Sequence, residues 1–152
     1  MASGYSALAA SIFLGPRKVK HAEPANIPHI LLGTAIFWFG WIGFNAGSAL
    51  AANGLAGQAF VNTNTAGAAA MMMWVCLDIF MGKNPSSVGA CNGIVIGLVA
   101  ITPGCGYVTT GASLVIGAVS TIVCYFAGNY MKAYSGIDDT IDVFAVHGLG
   151  TP

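Results

Sequence analysis

The sequence predicts an all-α integral membrane protein, a helical bundle with four complete transmembrane helices and two partial ones. Three observations predict it. Charged residues make up 7% of the 152 residues and hydrophobic ones 56%, against roughly 25% charged in a soluble domain, and the mean hydropathy is +0.75. No Asp, Glu, Lys or Arg occurs from Pro24 to Leu77 or from Asn84 to Met131, and each run holds two spans of about 20 residues with a short turn. The runs are continuous, whereas the strands of a membrane barrel alternate in short segments. A net charge of zero argues against nucleic acid as a partner. The expected surroundings are a lipid bilayer, and residues 1–152 form one membrane domain.

The elements follow in order. Tyr5–Gly15 is apolar but stops at Pro16, Arg17, Lys18 and Lys20, too short to cross a bilayer. Its basic cluster follows the apolar part, the reverse of a signal peptide, so it reads as the second half of a span. The loop 16–28 also carries His21 and Glu23. The first full span is expected over about Pro28–Ala52, with proline at a helix start, and the second over about Gln58–Met81 after an uncharged turn. Asn84-Pro85-Ser86-Ser87 supplies a turn and a serine cap for a third span, about Val88–Ile101. Thr102-Pro103-Gly104-Cys105-Gly106 breaks that helix, and such a break survives at membrane depth only under protein or water. The fourth span is expected over about Ala112–Tyr134. An acidic loop follows, and Ile141–Pro152 reads as the start of a fifth helix. The chain is therefore expected to be an internal piece of a larger membrane protein.

All five Lys and Arg residues lie in alternate connections, at 17–20, 83 and 132. By the positive-inside tendency these connections face the cytoplasm.

Within the first span, Trp41, Phe44 and Ser48 fall at i, i+3, i+7 and share one helical face, with Asn45 on its flank. Gly40, Gly43 and Gly47 occupy the neighbouring stripe, where a second helix is expected to pack closely. Two rings and a hydroxyl on one side suit a helix lining a narrow membrane path. Aromatic faces attract cations by about 0.5–2 kcal/mol, and a hydroxyl accepts from an N–H donor. Taken alone, rings at helical spacing are more often a matter of plain packing.

His147 is the clear ionisable candidate within an apolar segment, and intramembrane ionisable groups are usually functional. It lines a path and relays a proton, or it bonds a neighbouring helix. Asp142, five residues earlier, is expected to cap or orient the last helix, with Asp138 and Asp139 solvated. Asn45, Asn62, Asn64, Asn92, Thr63 and Thr65 must find partners in the bilayer, chiefly between helices. Cys76, Cys91, Cys105 and Cys124 contain no C-x-x-C pair and read as small packing hydrophobes. No metal site and no cofactor are expected.

Gly-Trp-Ile-Gly-Phe-Asn-Ala-Gly-Ser at 40–48, Val-Asn-Thr at 61–63, Gly-Leu-Val-Ala-Ile-Thr-Pro-Gly-Cys-Gly-Tyr at 97–107 and Asp-Asp-x-x-Asp-Val-Phe-Ala-Val-His-Gly at 138–148 together resemble the ammonium transporter family (Amt/Mep/Rh). The likeness covers essentially the whole chain. It implies an eleven-span fold assembled as homotrimers with a pore in each subunit, of which this chain is the end of the fifth span to the start of the tenth. It implies that Phe44 belongs to a stacked pore gate, that Ser48 belongs to the outer ammonium recruitment site, and that Trp41 supports the same pore-side helix. His147 matches the second of two pore histidines, and Asp142 an acidic residue supporting that region. The first pore histidine is implied upstream of Ala2-Ser3-Gly4, so the pore is not expected to be complete in this chain.

The function implied is non-enzymatic transport of ammonium or ammonia in the plasma membrane, with a cytoplasmic regulatory protein as a partner. An ammonium sensor, in which occupancy is reported to a partner, is the alternative. A redox membrane protein is a third reading. For the 152 residues alone, inertness is expected, because half the implied pore lining lies outside them.

Overall fold

The computed structural model describes residues 2–18, 24–134, 137–139 and 142–150, and every described element is helical. Lys20, His21 and Glu23 of the basic loop, and the expected helix start at Ile141, lie outside the described residues. The helices are α1 (Ala2–Leu14), α2 (Ile27–Gly47), α3 (Gly54–Phe80), α4 (Ser87–Ile101) and α5 (Thr110–Tyr134), followed by a short π-wound segment, Phe144–Leu149.

Local punctuation sets most boundaries. Asn26 accepts the amide of His29 at the head of α2, with Pro28 in the first turn. Asn53 does the same for Ala56 at α3, four residues before the expected start. Ser86 caps α4 by accepting from the Gly89 amide at 2.9 Å.

The third helix is the hub, packed against α2, α4 and α5. Its approach to the latter two is close because they present glycine to it. A methyl group on Gly97 of α4 or on Gly117 of α5 would collide with the Ala66 carbonyl, and one on Gly93 would lie 2.9 Å from the Ala70 carbonyl. Small residues let helices approach backbone to backbone where lipid offers no hydrophobic drive. The expected close-packing stripe, Gly40, Gly43 and Gly47 of α2, meets nothing within 4 Å. The stripe that does pack is Gly89, Gly93 and Gly97 on α4, against Trp74, Ala70 and Ala66 of α3.

The break after α4 is covered by protein. Asn62, fully buried in α3, donates through Nδ2 to the carbonyls of Cys105 and Val108 at 2.8 and 2.7 Å. Gln58 also donates to Val108 at 2.7 Å. Polar side chains of α3 thus satisfy backbone that α4 leaves unpaired, the condition for irregular backbone at membrane depth.

Among the described residues, α2 and α5 are long and apolar enough to cross a membrane. The other two expected spans fall short for different reasons. Asn62, Thr63, Asn64 and Thr65 make α3 more polar, and the 15 residues of α4 rise only about 22 Å. Of the cysteines, Cys91, Cys105 and Cys124 are buried as packing residues and Cys76 is exposed. The first helix packs on the segment 144–149.

Candidate pore-lining site

One side of α2 carries a row of rings. Phe37 and Trp41 have centroids 5.0 Å apart, and Trp41 meets Phe44 edge-on at 5.8 Å. Steps of four and three residues keep all three on one face. The first of them, Phe37, was not singled out from the sequence, where it is one of three aromatics in Phe37-Trp38-Phe39.

A hydrogen-bond network fixes the row. The Trp41 indole donates to Thr102 Oγ1 at 2.7 Å, and Thr102 in turn donates to the Leu98 carbonyl at 2.7 Å. Asn45, the buried residue of α2, donates through Nδ2 to Thr63 Oγ1 at 2.9 Å and to Thr102 Oγ1 at 3.4 Å. Thr63 donates to the Ala59 carbonyl at 2.6 Å. Each hydroxyl proton goes to a carbonyl, which can only accept, so each hydroxyl oxygen serves its neighbours as an acceptor. The network ties α2 to α3 and to the end of α4, as expected for Asn45 and Thr63.

Two hydroxyls on α2 share a further feature. Ser48 donates to the Phe44 carbonyl at 2.7 Å and Thr34 to the Ile30 carbonyl at 2.9 Å. With their protons committed, both present oxygen lone pairs to their surroundings. Ser48 is exposed just beyond the α2 terminus.

Two cavities run along this side. One, of about 490 Å³, is lined by Thr34, Phe37, Asn92, Val95, Val146 and His147 among others. The second, of about 330 Å³, is lined by Phe37, Gly40, Trp41 and Phe44. Phe37 belongs to both. The predicted residues therefore divide: Trp41 and Phe44 share one cavity, His147 lines its neighbour, and Ser48 lines neither. Gly40 opens onto the groove and is not buried under a helix.

The acidic loop departs from expectation. Asp139, read as solvated, accepts from the Phe144 amide at 2.7 Å and so caps the terminal segment. Asp138 pairs with Arg17. Asp142 adopts φ 55° and pairs with Lys132 at 2.5 Å, tying the segment to α5. No sequence signal distinguished these three partners, which lie on separate elements.

The described residues thus form an all-helical bundle, two helices of which are long and apolar enough to cross a membrane, with an aromatic row anchored by polar bonds beside a cavity that His147 lines. The Ammonium Transporter Family profile matches residues 1–151, and the chain belongs to that family. It is 44% identical to the ammonium transporter of Bacillus subtilis strain 168, over 99% of this chain and 37% of that protein. It is also 44% identical to ammonium transporter Amt1 of Archaeoglobus fulgidus, over 99% of this chain and 39% of that protein. Among solved structures, Mep2 of Candida albicans superposes with a TM-score of 0.86 at 41% identity, over 97% of this chain and 34% of that one. A sensor Amt protein superposes at 0.89 with 34% identity, over 97% of this chain and 38% of that one. The chain thus spans about a third of the length of the relatives it matches.

Proposed function

We propose that the full-length protein containing this chain moves ammonium or ammonia across the plasma membrane through a narrow pore, one side of which is the aromatic face of α2. The observation that supports this reading is that Phe37 lines both the Trp41–Phe44 groove and the His147 cavity. In that protein α2, α3, α4 with the turns after it, and α5 make four spans of an eleven-span subunit. The subunit assembles as a homotrimer and meets a cytoplasmic regulatory protein.

The physical problem is to carry a cation through about 30 Å of hydrocarbon while excluding potassium. Ser48 and the rings of Trp41 and Phe44 hold the cation at the outer mouth. The serine oxygen, its own proton committed to Phe44, favours a partner with N–H donors, which potassium lacks. Loss of a proton leaves neutral ammonia, which avoids most of the cost of burying a charge. Ammonia then passes Phe44 and Phe37 into the cavity where His147 exchanges hydrogen bonds with it. Asn45 and Asp142 act as supports, one through Thr63 and Thr102, the other through Lys132.

The test is uptake of radiolabelled methylammonium by cells that lack their own ammonium transporters and express the full-length protein. Uptake that unlabelled ammonium suppresses and potassium does not is the expected result. Uptake no greater than in control cells contradicts the proposal.

A further inference from the structure

Two stretches remote in sequence hold each other beside the His147 cavity, with Arg17 and Asp138 121 residues apart. The first helix packs against the segment 144–149 and against no other described element. At one end the contact is backbone on backbone, since a methyl group on Gly4 would collide with the amide of Gly148. The Tyr5 ring meets Phe144 edge-on at 5.6 Å. At the other end, Asp138 accepts from the Arg17 main-chain amide at 2.8 Å and from Nε at 2.7 and 2.9 Å, with Nη2 as a further donor.

The segment held this way has little structure of its own. Six residues are too few to sustain a helix unaided, and π winding is rare and mostly confined to single turns. Its attachments therefore impose its geometry. Asp138 is next to Asp139, which accepts the amide of Phe144, and His147 lies three residues further on. An exposed ion pair contributes little to stability, but a guanidinium fork on a carboxylate fixes direction as well as distance.

We propose that Arg17 and Asp138 are positioning residues for His147: their clamp sets the seat of the π-wound segment and so the shape of the cavity that His147 lines. The link to permeation rests on the transport reading above.

The test uses the full-length protein at matched membrane levels. Asp138→Asn and Arg17→Gln should each lower maximal methylammonium uptake by roughly tenfold, the lower end of what losing an orienting outer contact costs. Potassium should begin to compete, and the double variant should be no worse than the worse single, as for residues acting as one unit. Arg17→Lys, which keeps the charge without the fork, should fall between, and it remains informative if the others fail to insert. A solved structure of Asp138→Asn is the readout independent of transport, and His147 should be displaced in it. If wild type takes up no methylammonium, the transport reading falls and this structure alone decides the clamp. His147 unmoved in Asp138→Asn, or wild-type uptake and selectivity in both single variants, overturns the proposal.

Discussion

The Trp41 indole donates its one proton to the Thr102 hydroxyl at 2.7 Å, from the middle of α2 to the residue that ends α4. Thr102 also accepts from Asn45, so one oxygen fixes both the central ring of the aromatic row and the buried amide beside it. Thr102→Val keeps the shape and removes the acceptor. It should cost about 1–3 kcal/mol, the penalty for stranding a buried donor, and Thr102→Ser should recover most of it. Thermal unfolding of the purified full-length protein measures the loss, and Trp fluorescence reports the freed indole.

Ser48→Ala removes an exposed hydroxyl whose bond among the described residues is to the Phe44 carbonyl of its own helix. Folding should be unchanged. The half-saturation concentration for ammonium should rise roughly fivefold, equivalent to one hydrogen bond of about 1 kcal/mol. Concentration dependence of uptake checks it, and an unchanged value would remove Ser48 from the recruiting site.

Gly97→Ala and Gly117→Ala drive methyl groups from two different helices toward the same Ala66 carbonyl. Backbone cannot yield as a side chain does, so each should destabilise the α3 hub by about 1–3 kcal/mol, the usual cost of overpacking. Yield and thermal midpoint of the purified protein test this.

Asp78 is buried and accepts from the Tyr125 hydroxyl at 2.9 Å, joining α3 to α5. Tyr125→Phe strands a buried acceptor and should cost about 1–3 kcal/mol with ammonium selectivity intact, since neither residue lines the His147 cavity. Thermal unfolding and a potassium competition assay read the two halves separately.

These cases divide what the sequence disclosed from what it did not. Helix boundaries at Pro28, Ser86 and Thr102-Pro103-Gly104 were legible because caps, prolines and glycines act locally. The shared face of Trp41 and Phe44 was legible because helical period is local too. What lies opposite a face is not. The glycines of α2 and α4 recur at similar helical spacing, yet only those of α4 meet a helix, because tertiary packing decides which stripe is covered. Phe37 gained its place only when the segment carrying Val146 and His147 closed the other side of its cavity. Asp138 and Asp139 were misjudged as solvated for the same reason: their partners, Arg17 and the Phe144 amide, are remote from one another in sequence, and the choice of carboxylate follows from the fold.

His147 gives the most direct trial of the account, in which the imidazole and the aromatic side of α2 border one path. The measurement is methylammonium uptake with potassium competition by the full-length His147→Ala variant at wild-type membrane levels. The account predicts altered flux or a loss of preference for ammonium over potassium. Flux and selectivity both equal to wild type would contradict it.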